Sequence, residues 1–285
     1  MAAKRHAHRS RRTGRRRRGR PRRVSAGRRL LRAGGRALVA LRPLPLAIQL
    51  LAGAVALLML WGLVNVGYQV LRKPTELFFP VSGALAKSPP ETWQTYRPLF
   101  TAHATAVIPP ELLAALAQVE SSGNPVARTP WRWRLSAHPL EWYRPASSAV
   151  GMYQITDGTF QEAKRYCIHN HVVVEDGPWH DLRSCWFTPL YTRVLPSHAI
   201  ELTAAWLDRG VVRALADLRS AAATPQQQQD LAAVIHLCGA RAGAAYAARG
   251  FRLAAGQQCG THDVQNYLAQ VNALKRRFIQ LAAAG

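Results

Sequence analysis

The chain has 285 residues, with 38 Lys and Arg against 15 Asp and Glu, a formal net charge of +23 and a pI near 11.3. Such a balance suggests a nucleic-acid partner, but residues 1–42 hold 17 of the basic residues and no acid, which leaves 21 basic against 15 acidic residues, a net of +6, in the rest. That polarity excludes a nucleic-acid surface spread over the whole chain, and the length allows one or two domains.

Residues 1–43 have too little apolar content to build a core and are expected to be a disordered, Arg-rich cytoplasmic tail. Residues 1–42 contain no Phe, Tyr or Trp, so the aromatic stacking that supports single-strand binding is missing. Phosphate attraction needs only charge and would be confined to this tail, not the folded domain. From Leu46 to Val64 the only strongly polar residue is Gln49, and the uncharged stretch continues to Leu71. A run of this length crosses a hydrocarbon core of roughly 30 Å. Residues 44–71 are therefore expected to form a single transmembrane helix. The arginines before it predict a cytoplasmic N-terminus and everything after Leu71 outside the membrane. A removable signal peptide is the competing reading. Its apolar region would be about 7–15 residues, and the small-residue site at Ala84-Leu-Ala86 lies far past the run.

Pro74, Pro80, Pro89 and Pro90 break regular patterns, so residues 72–95 are expected to be a linker, with the folded domain over 96–285. Next comes the run Ile108-Pro-Pro-Glu-Leu-Leu-Ala-Ala-Leu-Ala-Gln-Val-Glu120, followed by Ser121-Ser-Gly-Asn-Pro125. Pro109 and Pro110 suit a helix start, and Gly123 and Pro125 a stop. Leu112, Leu113, Leu116 and Val119 share one face, with Glu120 in its middle. A carboxylate there must pair, or stay protonated as a general acid does.

Thr156 should open a helix to about His169, and Ser197 should cap one running to about Leu218. Thr224-Pro-Gln-Gln227 has the form of a capping box leading into Leu231–Leu237. Ala240–Arg249 is a short helix closed by Gly250. Asp263–Ile279 carries a stripe of Val264, Tyr267, Leu268, Val271, Leu274 and Phe278. Only Val172–Val174 has strand character, so the class is mainly α. Cys167, Cys185, Cys238 and Cys259 all follow the apolar run, an even count that favours disulfides in an exported domain. Sequence proximity favours Cys167–Cys185 and Cys238–Cys259 among the three formal pairings. His169, His171 and His180 invite a metal reading, but no carboxylate spacing supports it and loop histidines explain them. No metal or cofactor is expected.

Four elements together resemble the soluble-type (SLT) lytic transglycosylases of the lysozyme-like superfamily. In that family a catalytic Glu is followed by Ser, then by Gly-Leu-Met-Gln-Ile, Ala-Tyr-Asn-Ala-Gly and Glu-Thr-Arg-x-Tyr-Val. Here the elements are Glu120-Ser121-Ser-Gly-Asn-Pro, Gly151-Met152-Tyr153-Gln154, His236-Leu-Cys-Gly239 and Asp263-Val-Gln-Asn-Tyr267-Leu. Tyr153 stands where Met is usual, and His236 and Leu237 stand where Tyr and Asn are. The resemblance implies a lysozyme-like transglycosylase domain, periplasmic and anchored in the bacterial inner membrane by residues 44–71. Glu120 would act as acid and then base, cutting the MurNAc-GlcNAc β-1,4 bond of peptidoglycan strands to a 1,6-anhydro end.

Substrate contacts implied at the matching positions are Ser121, Gly151, Met152, Tyr153, Gln154, His236 and Tyr267. For Ser121 helix-end bonding is equally open, for Tyr267 packing is at least as open, and His236 reads better as a buried structural histidine than as a sugar contact. A glycosidase of the hydrolytic kind needs a second carboxylate, and Glu111, Glu141, Asp157 and Glu162 are poorly placed for it, Asp157 reading better as a helix cap. A lysozyme-like muramidase, or a non-catalytic glycan-binding component of a secretion or conjugation apparatus, are the alternatives. Two stretches look inserted relative to a minimal domain of this type. Val126–Ser148 carries Trp131, Trp133, Trp142 and Tyr143, which either line the glycan groove or pack the insertion onto the core. Tyr166–Leu195 reads as a disulfide-stapled loop.

Overall fold

The computed structural model describes residues 45–78, 83–181, 183–216 and 223–284, so the basic tail expected over 1–43 lies outside the described residues. The chain divides into two units, residues 1–60 and 61–285. Helix α1, Leu46–Arg72, begins in the first and ends in the second. Its 27 residues extend about 40 Å at ~1.5 Å per residue, enough to cross a bilayer. Leu50, Leu51, Leu57 and Leu58 are all about two-thirds exposed, and no charged residue occurs between Leu46 and Leu71. A helix of this length and composition is a candidate membrane span.

The second unit is mainly helical. Helix α2, Pro89–Ala102, starts inside the stretch expected as a linker. Ser88 caps it, with Glu91 returning the bond to the Ser88 N–H at 2.8 Å. Pro89 and Pro90 thus open a helix, where a missing N–H costs nothing. Trp93 and Tyr96 from α2 lie in the core. Helix α3, Pro110–Ser121, is the centre of the domain, with every residue from Leu112 to Ala117 buried. The expectation of one apolar face is too narrow, because the alanines on the other sides are covered as well.

Residues Trp131–Trp133 (β1) and Tyr143–Pro145 (β2) form an antiparallel hairpin. Helix α4 is only Asp157–Ala163. The helix expected to reach His169 stops there, and Tyr166–His169 (β3) pairs antiparallel with Val172–Glu175 (β4). Tyr166 and Cys167 are buried by this pairing. Helix α5, Pro196–Ala216, begins one residue before the expected cap Ser197, and its end toward Leu218 lies outside the described residues. Helix α6, Pro225–Cys238, has the Thr224–Gln227 capping box read from the sequence. Helix α7, Ala240–Ala248, is followed by the short strands Gln258–Cys259 (β5) and His262–Asp263 (β6). Helix α8, Val264–Ala284, buries Val264, Tyr267, Leu268, Val271 and Phe278, the expected stripe with Leu274 half-buried.

Helix α3 packs between α2 and α8, while α5 packs on α6, α7 and α2. Lys275 of α8 donates to Gln226 and Gln229 of α6 at 2.6 and 2.7 Å. Cys167 and Cys185 form one disulfide and Cys238 and Cys259 the other, each with a Cα–Cα distance of 5.4 Å. The first holds the chain after β4 against β3. The second joins the end of α6 to β5. Leu113 is wholly buried in the middle of α3. Leu113→Ala is expected to cost about 2–5 kcal/mol, measured as a lowered midpoint in denaturant unfolding.

Candidate active site

Glu120 is the penultimate residue of α3. The helix end is fixed on several sides. Ser122 closes it in the left-handed conformation, and the Gly123 N–H reaches back to the Ala117 carbonyl at 3.0 Å. Thr92 of α2 donates to Gln118 at 2.8 Å, and Gln118 donates to the Lys87 carbonyl at 3.0 Å. A rigid helix therefore delivers the carboxylate, whose side chain keeps 18% of its surface exposed.

Two side chains from other helices meet it. The Tyr267 hydroxyl of α8 donates to Glu120 Oε1 at 2.7 Å. His236 Nε2 of α6 lies 3.5 Å from the same oxygen. Burial raises the Glu120 carboxyl, but the His236 ring, through hydrogen bonding and charge, and the Tyr267 hydroxyl outweigh it, with a smaller pull from His262. The group is left below the usual carboxylate value. Of the two ways to tolerate this carboxylate, the structure uses pairing. Burial and the neighbouring carboxylate push Tyr267 well above its ordinary value, so its hydroxyl remains a donor throughout the neutral range.

Glu120 opens into a polar cleft of ≈ 640 Å³. The start of α8 supplies much of its wall, with His262, Asp263, Asn266, Tyr267 and Gln270. Thr129, Ser147 and Gln154 face them. His262, Asn266 and Gln270 were not singled out from the sequence. The one-turn spacing of Asn266 and Gln270, both exposed on a helix whose other face is a clear apolar stripe, was the available signal. Asp263 is a second lining carboxylate that the sequence survey of acids passed over. Its Oδ1 accepts the Asn266 N–H at 2.8 Å and caps α8.

Other expected contacts are placed differently. Met152 and Tyr153 are wholly buried, and the Tyr153 hydroxyl donates to the Leu113 carbonyl at 3.1 Å. Gly151 has φ +80°, and a Cβ there would collide with the Arg193 carbonyl. Its glycine is needed for close backbone packing, away from the cleft lining. Ser121 donates to the Met152 carbonyl at 2.8 Å, tying the end of α3 to this turn. Gln154 reaches the cleft, and donates to the Gly151 carbonyl at 3.0 Å. Arg193, unforeseen, donates to the carbonyls of Ser148 and Ile155 at 3.0 and 2.9 Å and pairs with Asp157 at 2.8 Å. Asp157 is thus an ion-pair partner, while Thr156 caps α4. Glu141 pairs with Arg72 at 2.6 Å and Arg144 at 3.1 Å, away from the cleft lining. Trp131, Trp133, Trp142 and Tyr143 do not line the cleft either; Trp133 and Trp142 pack around Trp61 of α1. Among the described residues, no three His, Cys, Asp or Glu stand together as a metal site. His171 Nδ1 instead meets the Ala104 carbonyl at 2.9 Å.

Residues 98–176 match the family model of the Transglycosylase SLT domain. The chain carries an SLT domain. That segment is thus similar to the domain of lytic transglycosylases and lysozyme-like enzymes. No curated protein compared with the chain matches it. The matched segment contains Glu120 and the Gly151–Gln154 turn but ends before His236 and Tyr267. The SLT segment supplies the carboxylate, and the later helices supply what surrounds it.

The contribution of His236 is open to a pH test. Removing a group that lowers the Glu120 carboxyl must raise it, keeping more of it protonated at a given pH. His236→Gln is expected to move the alkaline limb of the kcat/KM profile for glycan cleavage to higher pH. A limb that stays put or moves to lower pH would show that His236 does not set the carboxyl.

Proposed function

We propose that this protein is a membrane-anchored lytic transglycosylase, with Glu120 as its only acid–base group. The reading is carried by one observation. Of the two carboxylates lining the cleft, Asp263 is engaged as the cap of α8, and Glu120 is the one held by a tyrosine from a second helix. A single carboxylate suffices for intramolecular transfer, because the nucleophile is part of the substrate.

The glycan, once seated, covers the open side of Glu120. Desolvation by the sugar then raises the carboxyl toward its protonated form. Protonated Glu120 gives its proton to the glycosidic oxygen as the C1–O bond of MurNAc breaks. The cationic C1 is met by the carbonyl oxygen of the sugar's own N-acetyl group. Glu120, now a carboxylate, takes the proton of the C6 hydroxyl, whose oxygen closes on C1 as the acetamido bond to C1 opens. The carboxyl is regenerated and no water is consumed. Tyr267 holds Oε1 by donation in the carboxylate stages, with the His236 ring beside the same oxygen.

Glu120→Gln preserves size but has no proton to give, so cleavage of purified peptidoglycan should fall by at least about 10²-fold, with the folded state retained by circular dichroism. Wild-type products should carry 1,6-anhydro ends, lighter by one water than reducing ends, and Asp263→Asn should leave them forming. Reducing ends that vanish in Asp263→Asn would instead establish hydrolysis, with Asp263 activating water. That alternative is the muramidase reading, and the position of Asp263 in the cleft is what favours it.

The same proposal places residues after α1 outside the cytoplasmic membrane, because the arginines before Leu46 resist translocation. A reporter that works only in the exported compartment, fused after Gly285, is expected to be active. Activity only of a cytoplasmic reporter would remove access to peptidoglycan, and the function with it.

A further inference from the structure

The hairpin β1–β2 and its connection, residues 131–145, take no part in the cleft wall, yet they are rich in Trp and Arg. Trp133 stacks on Trp61 of α1, with ring centroids 5.6 Å apart and 14° between planes. Trp142 meets Trp61 at 6.3 Å, and Tyr143 meets Trp131 and Trp133 at 5.3 and 5.0 Å. Asn65 and Gln69, buried on one side of α1, both donate to the Leu140 carbonyl at 2.7 Å. The hairpin is thus fixed to α1 at the point where its apolar run ends. The run Leu46–Val64 extends about 28 Å at ~1.5 Å per residue, close to the thickness of a hydrocarbon core. Trp61 lies one turn inside its end, at the depth where Trp and Tyr gather in membrane proteins.

The outer side of the hairpin matches that depth. Trp133 is 66% exposed and Leu135 is 90% exposed. Arg132 and Arg134 alternate with them and are exposed as well. The one acid of the segment, Glu141, is neutralised by Arg72 and Arg144. Between the hairpin and α1 lies a largely apolar cavity of ≈ 510 Å³, lined by Val66, Val70, Pro130, Trp131 and Tyr143 together with the Glu76–Arg128 ion pair.

We propose that residues 131–145 form a membrane-surface element, in which Trp133 and Leu135 enter the interface while Arg132 and Arg134 engage anionic lipid headgroups. Apolar burial and headgroup attraction add in such an arrangement. The proposal rests on α1 being a membrane anchor, and the test separates the two.

The full chain is reconstituted in vesicles of phosphatidylcholine and phosphatidylglycerol, with a nitroxide label at one of three sites: Leu135→Cys, Leu57→Cys on α1, or Val172→Cys on β4 as an aqueous reference. Accessibility to oxygen, which prefers lipid, is compared with accessibility to a water-soluble nickel chelate. Labels at 57 and 135 are expected to favour oxygen and the label at 172 to favour nickel. Arg132→Gln with Arg134→Gln, or vesicles of phosphatidylcholine alone, should shift the label at 135 toward nickel and leave 57 unchanged. A label at 135 that behaves like 172 while 57 stays in lipid overturns the proposal and spares the anchor. Immersion at 135 that ignores both arginines and lipid charge overturns the headgroup role, and nickel access at 57 overturns the anchor itself.

Discussion

A carboxylate at the end of a helix buried through its middle has to be answered by groups that come from elsewhere in the chain. Helix α3 buries every residue from Leu112 to Ala117, so its direction is fixed by packing, and Glu120 can only emerge where that packing ends. The Tyr267 hydroxyl at 2.7 Å and the His236 ring at 3.5 Å meet it there. Each stands on a helix joined to the same core, Tyr267 among the buried residues of α8 and His236 at the last turn of α6. Lys275, bonded to two glutamines of α6, keeps those helices in register. The partly buried charge is therefore met by the same helices that hold the domain together.

The sequence was legible where helices are long and their ends carry chemistry. The Pro-Pro opening of α3, the Thr224–Gln227 box of α6 and the stripe on α8 each have one physical meaning, and the structure has those elements. It was illegible where a residue's role depends on a distant partner. Pro89 and Pro90 were read as breakers although Ser88 and Glu91 around them form a capping box. Tyr166–His169 extends the pattern of α4 without a break, and only pairing with β4 makes it a strand. Strands of two to four residues leave no periodicity to detect.

The site shows the same division. Glu120 could be found from its place on α3, and its partners Tyr267 and His236 could be named, but whether Met152, Tyr153 and Gly151 faced sugar or core could not. Tyr153 is placed by the Leu113 carbonyl, 40 residues before it, Gly151 by the Arg193 carbonyl in a later segment, and Met152 by Ser121. The Trp-rich insertion was open between groove and packing, because an aromatic ring serves either. Trp61, outside the insertion altogether, decides it.

The Cys238–Cys259 disulfide lies at a telling point in this arrangement. His236 is two residues before one cysteine, and His262 is three residues after the other. Both histidines draw the Glu120 carboxyl downward. A chain whose two thiols are still reduced has every side chain of the site but lacks the tether between the two segments that bring the imidazoles to the carboxylate. Disulfides of this kind persist in oxidising compartments and are rare where glutathione keeps thiols reduced. The electrostatic setting of Glu120 is thus a product of oxidation as well as of folding, since the covalent tether and the packed helices together bring the two imidazoles to one carboxylate.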